Sequence, residues 1–100
     1  MARVGLHCRD LLFGSKVEGA LRAAGHEVAR GAVDGDVVVV DLTDPDLPWP
    51  AAGAAPRLGF YSHVDQETRR RAEEAGFDMV VPRSRMNRDG AALVARLLGD

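Results

Sequence analysis

The sequence predicts one α/β domain over residues 1–100, built on a mostly parallel five-stranded sheet. The main observation is the segment Asp36–Asp41, in which four consecutive valines lie between two aspartates. An apolar, β-branched run without polar alternation predicts a strand that is buried on both faces of a parallel sheet. The second observation is that short apolar runs and amphipathic segments succeed one another in the order β-α-β-β-β-α-β-α. The third is length, because 100 residues suffice for a single hydrophobic core.

The first predicted elements are a strand and an amphipathic helix. The strand is the run Arg3–Cys8, and the helix after it repeats apolar residues at helical spacing up to Gly25. Glycine suits the position that follows a helix because it tolerates positive φ. The start of the helix has two candidate caps, which are Asp10 and a capping box made by Ser15 and Glu18.

The connection between the second and third predicted strands is unusually short. His26–Arg30 is the second strand, and only Gly31–Gly35 separates it from the central strand. A parallel crossover normally takes about a dozen residues or more. Two arrangements stay open: an extended, helix-free return of the chain, or an Asp-Gly hairpin turn at Val33–Asp36 that makes strands two and three antiparallel.

The second half of the chain begins with a connection that is too rich in proline for a full helix. This connection, Leu42–Pro56, contains four prolines. The elements predicted after it are a strand at Leu58–Ser62, a helix at Gln66–Ala75 between a cap at Asp65 and Gly76, a strand at Met79–Pro82, and a last helix that starts at Asn87 or Asp89.

The predicted topology leaves one face of the sheet thinly covered. Right-handed crossovers place the first and last helices on one face, so only Gln66–Ala75 remains for the other. Since the central strand is apolar on both sides, a further cover is expected from the loop that carries Leu47 and Trp49, or from a second protein molecule. We expect Trp49 to pack on this face, and we expect a homodimer or another signalling protein to complete it.

Composition excludes several classes of partner. Lys and Arg number 13 against 15 Asp and Glu, so the net charge of −2 provides no basic surface for nucleic acid or an anionic membrane. No apolar run is long enough to span a bilayer, and the N-terminus lacks the layout of a signal peptide. Cys8 is the only cysteine, which predicts a reducing, cytoplasmic setting. The excess of Arg over Lys, with abundant Ala and Gly, indicates a bacterial source.

Polar side chains follow several of the predicted strands. Because the carboxyl ends of parallel strands meet at one edge of a sheet, we expect these side chains to surround one shallow crevice. They are His7, Cys8, Arg9, Asp10, Asp41, Ser62, His63 and Arg83. Strand alternation sends His7 and Cys8 to opposite faces, so no metal site is predicted and Cys8 is expected to be a small buried residue.

Some of these residues stand at spacings that resemble the receiver domain of bacterial two-component response regulators, over nearly the whole chain. In that family an Asp that ends strand three accepts a phosphoryl group, and a Pro commonly follows it at the spacing of Asp41 and Pro45. Strand four of the family ends in Ser or Thr, as at Ser62. The family has a Lys beyond a Gly, at the spacing of Gly76 and Arg83. The resemblance implies that Asp41 is the phospho-acceptor and that Ser62 and Arg83 contact the phosphoryl group.

The sequence also departs from the family pattern. Receivers hold Mg²⁺ with two adjacent acidic residues at the end of strand one. Counting back from Gly25 places those positions on Cys8 and Arg9, with Asp10 just beyond. Mg²⁺ prefers oxygen ligands, and an Arg cation beside it would repel it. The connections around the central strand are too short for the family's second and third helices. The resemblance therefore implies a degenerate, shortened, flavodoxin-like receiver domain with strand order 2-1-3-4-5.

These observations favour a non-enzymatic, receiver-like signalling domain that acts through protein–protein contacts, without a cofactor and without Mg²⁺-dependent phosphorylation. On this hypothesis Asp41 caps its own strand end and pairs with Arg9 or Arg83. One alternative is a working phospho-acceptor in which Asp41 is modified and Asp10 with Asp41 holds Mg²⁺. Another is the binding of a small anionic ligand or nucleotide in the crevice by Arg9, Ser62 and Arg83.

Overall fold

The computed structural model describes residues 2–99. Its elements are β1 (Arg3–His7), α1 (Leu11–Ala23), β2 (Glu27–Arg30), β3 (Val37–Asp41), β4 (Arg57–Tyr61), α2 (Gln66–Glu74), β5 (Met79–Pro82) and α3 (Arg83–Leu97). All neighbouring strands are parallel, and the sheet order is β2-β1-β3-β4-β5, which confirms the predicted fold class. We call the face covered by α1 and α3 the thick face, and the opposite face, covered by α2 and the β3–β4 connection, the thin face.

The central strand β3 is buried on both sides, as its valine run predicts. Its five residues are all buried. Val37 and Val39 belong to the cluster under α1 and α3, whereas Val38 and Val40 belong to the cluster on the thin face. Each fully buried valine stabilises the fold by about 1.5 kcal/mol or more. The strand therefore joins two separate apolar layers.

The second strand is parallel, so the alternative hairpin between strands two and three is wrong. β2 pairs with one edge of β1, and β3 pairs with the other. The connection between them crosses β1 on the thin face and lies directly on Gly5. A Cβ atom at Gly5 would come within 2.4 Å of the Asp34 carbonyl oxygen and 2.8 Å of the Ala32 carbonyl oxygen. Because glycine leaves this space open, a short helix-free segment crosses where a helix would otherwise pack.

The connection between β3 and β4 also packs against a glycine of a strand. It is irregular, as its prolines predict, and it begins by packing Leu42 on Gly59 of β4. A Cβ atom at Gly59 would lie 2.6 Å from Leu42 Cδ1 and 3.1 Å from Phe77 Cδ2. Two strand glycines on the thin face thus accommodate the two connections that lack a helix.

Trp49 packs on the thin face, where the sequence places it. Its ring meets that of Phe77 edge-on, with centroids 5.5 Å apart. Leu47 is buried beside it, and Val38 and Val40 are 2% and 0% exposed. The chain's own loop therefore covers the central strand. The role of Leu47 and Trp49 at a protein interface stays a prediction.

A buried arginine fastens the β3–β4 connection to α2. Arg57 is 4% exposed and donates hydrogen bonds to the carbonyl oxygens of Pro50 at 2.8 Å and Ala75 at 2.7 Å. Its guanidinium lies 4.3 Å from the centre of the Phe77 ring. Ala75 ends α2, where the helix dipole places partial negative charge that favours a cation. Sequence periodicity gives no sign of this contact.

The first helix begins as one of its two candidate caps predicts. The Asp10 carboxylate accepts a hydrogen bond from the Phe13 backbone N–H at 3.0 Å, and α1 starts at the next residue after Asp10. Ser15 and Glu18 lie inside the helix and do not cap it.

The last helix begins earlier than predicted. It starts at Arg83, directly after β5, so the prediction of a start at Asn87 or Asp89 is wrong. Pro82 occupies the cap position with extended backbone angles and has no side-chain hydrogen bond. The first turn is held by packing, because Met86 is 1% exposed within the thick-face core. Within residues 2–99, no helix has the length and apolar character needed to cross a bilayer.

Candidate functional site

The carboxyl ends of the strands form a crevice, as the topology predicts. It has a volume of about 410 Å³ and is lined by Phe13, Thr43, Ser62, His63, Arg83, Ser84 and Asn87. Three of the predicted site residues, Ser62, His63 and Arg83, meet there. Asp41 does not line this crevice, so the candidate phospho-acceptor is separated from the open space.

Asp41 is enclosed by its own neighbours. The residue is 3% exposed. Its Oδ1 atom accepts hydrogen bonds from the Thr43 backbone N–H at 2.8 Å and from the Thr43 hydroxyl at 2.6 Å. Its Oδ2 atom lies 3.6 Å from the Cys8 thiol, which donates to it. This is a local turn in which an Asp side chain closes a strand end.

The predicted pairing of Asp41 with Arg9 or Arg83 is wrong, because other carboxylates hold both arginines. Arg9 donates two hydrogen bonds, each 2.8 Å long, to Asp44. These bonds hold the pKa of Asp44 below its usual value. Arg9 therefore reaches toward the β3–β4 connection and not toward the crevice that contains Ser62.

Arg83 is held at the start of α1. Its guanidinium lies 3.0 Å from Asp10 Oδ2 and 4.3 Å from the centre of the Phe13 ring. The backbone N–H of Phe13 is the main cause of a lowered pKa at Asp10, and Arg83 lowers it further. Both oxygens of Asp10 are thus engaged, one by the helix and one by the arginine.

Cys8 and His7 point to opposite faces of the sheet, as predicted. Cys8 is 5% exposed in the thick-face core, and burial is the largest cause that raises its pKa to about 11. A thiol with that pKa is not a nucleophile at neutral pH. The His7 ring nitrogen Nε2 lies 2.8 Å from the Pro48 carbonyl oxygen on the thin face. Across residues 2–99, no three His, Cys, Asp or Glu side chains are grouped so that they could hold a metal ion.

The oxygen donors at this edge fit Mg²⁺ poorly. The receiver positions for the acidic pair carry a buried thiol, Cys8, and a cation, Arg9. The nearest carboxylates, Asp10 and Asp41, already accept hydrogen bonds from protein donors. Mg²⁺ requires several oxygen ligands in octahedral geometry.

Two residues that shape this edge were missed by sequence reasoning. Thr43 donates a hydrogen bond to Asp41, and Asp44 accepts a hydrogen bond from Arg9. The spacing of Asp41 and Thr43 is a usable signal, because an Asp followed by Ser or Thr two residues later often forms a local turn. The Asp44 contact joins distant segments, and no local pattern indicates it.

The fold is that of response-regulator receiver domains. The structure is similar to the receiver domain of the Francisella response regulator 1452, with TM-score 0.78, 13% identity, and coverage of 99% of this chain and 98% of that one. A response regulator receiver protein from Burkholderia phymatum has TM-score 0.80, 20% identity, and coverage of 99% and 96%. The non-phosphorylated HemR receiver domain from Leptospira biflexa has TM-score 0.77, 17% identity, and coverage of 100% and 96%.

No family model and no curated protein matches the sequence. The similarity to solved structures nevertheless shows that the chain has the receiver fold over nearly its full length. In the part of the chain that the structure describes, no helix lies between β2 and β3 or between β3 and β4. Identities of 13–20% show the fold alone.

Proposed function

We propose that this chain is a non-enzymatic, receiver-fold signalling domain that works through protein contacts and without Mg²⁺-dependent phosphorylation of Asp41. Its contact surface is the thin face, its partner is a second copy or another signalling protein, and its setting is the bacterial cytoplasm predicted from the sequence. Asp41 has a structural role here, which is to close the end of β3.

The state of Asp41 is the observation that carries this proposal. Phosphoryl transfer to a carboxylate needs an accessible oxygen and a cation that neutralises charge on the transferred group. Asp41 is 3% exposed, and Thr43 and Cys8 occupy both of its oxygens. An incoming phosphoryl group would have to displace these donors.

The surrounding charges support the same proposal. Arg83 is bound to Asp10, and Arg9 is bound to Asp44, so each arginine is neutralised by a carboxylate other than Asp41. Neither arginine contacts the Asp41 carboxylate. These arginines and carboxylates therefore already have partners within the chain, whereas a phosphorylation switch needs groups that change partners.

Intact-mass spectrometry after incubation with acetyl phosphate and Mg²⁺ tests the proposal. We expect no phosphoryl adduct on the wild-type chain. As a comparison, the variant Cys8→Asp with Arg9→Asp supplies carboxylates at the receiver positions for Mg²⁺. A wild-type adduct that disappears in Asp41→Asn would refute the proposal and establish the phospho-acceptor alternative.

Amide NMR spectra with Mg²⁺ and beryllofluoride, a phosphoryl mimic, give a second readout. We expect the resonances of Asp41, Ser62 and Arg83 to stay unchanged when beryllofluoride is added. Movement centred on those residues would show that the edge still senses a phosphoryl group.

The crevice supports a second candidate function, the binding of a small anion or nucleotide. Ser62, Ser84 and Asn87, which carry hydroxyl and amide groups, line the same space as Arg83. Arg9 would not take part, because it pairs with Asp44. Thermal-shift measurements with nucleotides and inorganic phosphate test this candidate. A shift that vanishes in Arg83→Met supports it, and the absence of any shift counts against it.

A further inference from the structure

We propose that the thin face binds a second copy of this chain in a two-fold dimer, with Asp34 and Arg71 forming ion pairs across the contact. The contact area is Val33 together with residues 50–55, which we call the self-association patch. The inference rests on the proposed function, since it names the partner of the thin face.

The self-association patch is exposed and made of small side chains. Val33 is 52% exposed, and the residues 51–54 are exposed as well. A cavity of about 210 Å³ lies between the two helix-free connections and is lined by residues of both, including Val33, Pro50 and Ala54. Its charged lining residues are Asp34, at its edge next to Val33, and Arg57, which is buried. Small side chains and an open cavity let two backbones approach closely, which large polar side chains would prevent.

The absence of charged side chains from residues 47–56 favours a second copy over other occupants. Residues 47–56 include no charged side chain, although 28% of the chain is charged. A two-fold interface sets the same surface against itself, so a charged group near the axis lies close to the identical group of the other copy and is repelled by it. An uncharged centre avoids that repulsion. It also offers no attraction to nucleic acid or to a strongly charged protein.

Charges of opposite sign flank the patch on its two sides. Asp34 lies in the connection over β1, and Arg71 lies on α2, which packs against β4 and β5. The Arg71 guanidinium is 5.2 Å from the centre of the Trp49 ring. Among residues 2–99, neither Asp34 nor Arg71 lies within 4 Å of an oppositely charged group, whereas Arg69 and Arg70 each pair with glutamate. Arg71 is nevertheless close enough to Asp65 to contribute to the lowered pKa of that carboxyl.

The positions of these charges select one orientation of the two copies. When the thin faces meet and the two-fold axis runs parallel to the strands, Asp34 of each copy faces Arg71 of the other. When the axis runs across the strands, Asp34 faces Asp34 and Arg71 faces Arg71. Only the first orientation pairs opposite charges, and it does so twice because of the symmetry.

Sedimentation equilibrium at low salt tests the proposal by charge reversal. Asp34→Arg and Arg71→Asp each place like charges opposite one another at two sites, so each is expected to weaken dimerisation by about tenfold or more. The double variant restores opposite charges and is expected to dimerise within about threefold of the wild type. Lys16→Asp is the matched control, because it makes the same charge change at an exposed residue of α1, which covers the thick face.

Each outcome decides the matter. A wild-type chain that stays monomeric at millimolar concentration overturns the proposal, and so does a double variant that does not regain the dimer. Single variants that dimerise like the wild type also overturn it. Circular dichroism melting curves confirm that each variant is folded. The phosphorylation assay measures Asp41 independently, so failure of the proposed function and failure of this dimer give different results.

Discussion

The two faces of the sheet are built in different ways. On the thick face, side chains from two helices interdigitate with the strands, as in the contact of the Phe13 and Phe60 rings at 4.9 Å. On the thin face, the backbone of the β2–β3 connection lies directly on Gly5 and Leu42 packs on Gly59, while a buried arginine holds the β3–β4 connection in place. The comparison teaches that a parallel sheet can lose crossover helices when its strands provide glycines under the remaining connections. Three predictions test this difference, and a fourth tests the cap of α1 on the thick face; they run from the largest expected effect to the smallest.

The substitution Gly5→Val should have the largest effect, because the new side chain would occupy the space of the connection over β1. Its Cβ alone would come within 2.4 Å of a backbone oxygen that cannot rotate away. We expect the free energy of unfolding to fall by about 3 kcal/mol or more, measured by urea denaturation. Gly19→Ala is the control, since no atom lies within 4 Å of a Cβ there, and it should raise stability slightly. Equal stability of Gly5→Val and wild type would contradict the account of the thin face.

Arg57→Met should loosen the β3–β4 connection from α2. The change leaves the carbonyl oxygens of Pro50 and Ala75 without their donor. We expect a loss of about 2–3 kcal/mol in unfolding free energy and a change in Trp49 fluorescence, since Trp49 sits in the same loop. Arg57→Lys is the matched variant, because it keeps the charge but not the forked geometry. If Arg57→Met left both readouts unchanged, the arginine would not fasten the loop.

The thin face should open before the thick face does. Cys8 lies in the thick-face core and its pKa is raised to about 11, so its thiol should react with a maleimide only when the whole domain unfolds. Amides of residues 42–56 should exchange with solvent through a local opening. The free energy of that opening should be lower, by roughly 2 kcal/mol or more, than the free energy of the unfolding that exposes Cys8. Hydrogen exchange and thiol labelling on the same sample make the comparison. Equal opening free energies would show that the two faces unfold as one unit.

Acid should weaken the start of α1 by a small amount. Asp10 has a lowered pKa in the folded chain, first because of the Phe13 N–H and then because of Arg83. A carboxyl with a lowered folded pKa contributes stability above its ordinary pKa of 3.8, and that contribution is lost as pH falls through the folded pKa. As the pH falls below 3.8, we expect the melting temperature of the wild type to drop more steeply than the melting temperature of the Asp10→Asn variant. Parallel curves for the two proteins would exclude this contribution.

The candidate site shows why residue types can be predicted when their partners cannot. Ser62, His63 and Arg83 converge as strand order predicts, because the ends of parallel strands must meet. The partners of the two arginines depend on a competition among carboxylates. Asp10 and Asp44 reach Arg83 and Arg9, while Thr43 takes Asp41. The order of residues along the chain does not indicate which carboxylate each arginine will contact.

The sequence by itself determined the strands, their order along the chain and the double burial of β3, because four consecutive valines suit only a strand covered on both sides. Local chemistry also determined the end of α1 near Gly25, whereas only the structure decided between Asp10 and the Ser15–Glu18 pair as its cap. Tertiary structure decided the parallel pairing of β2, since that depends on the space above Gly5. It also decided the early start of α3, because the packing of Met86 is a contact between distant parts of the chain.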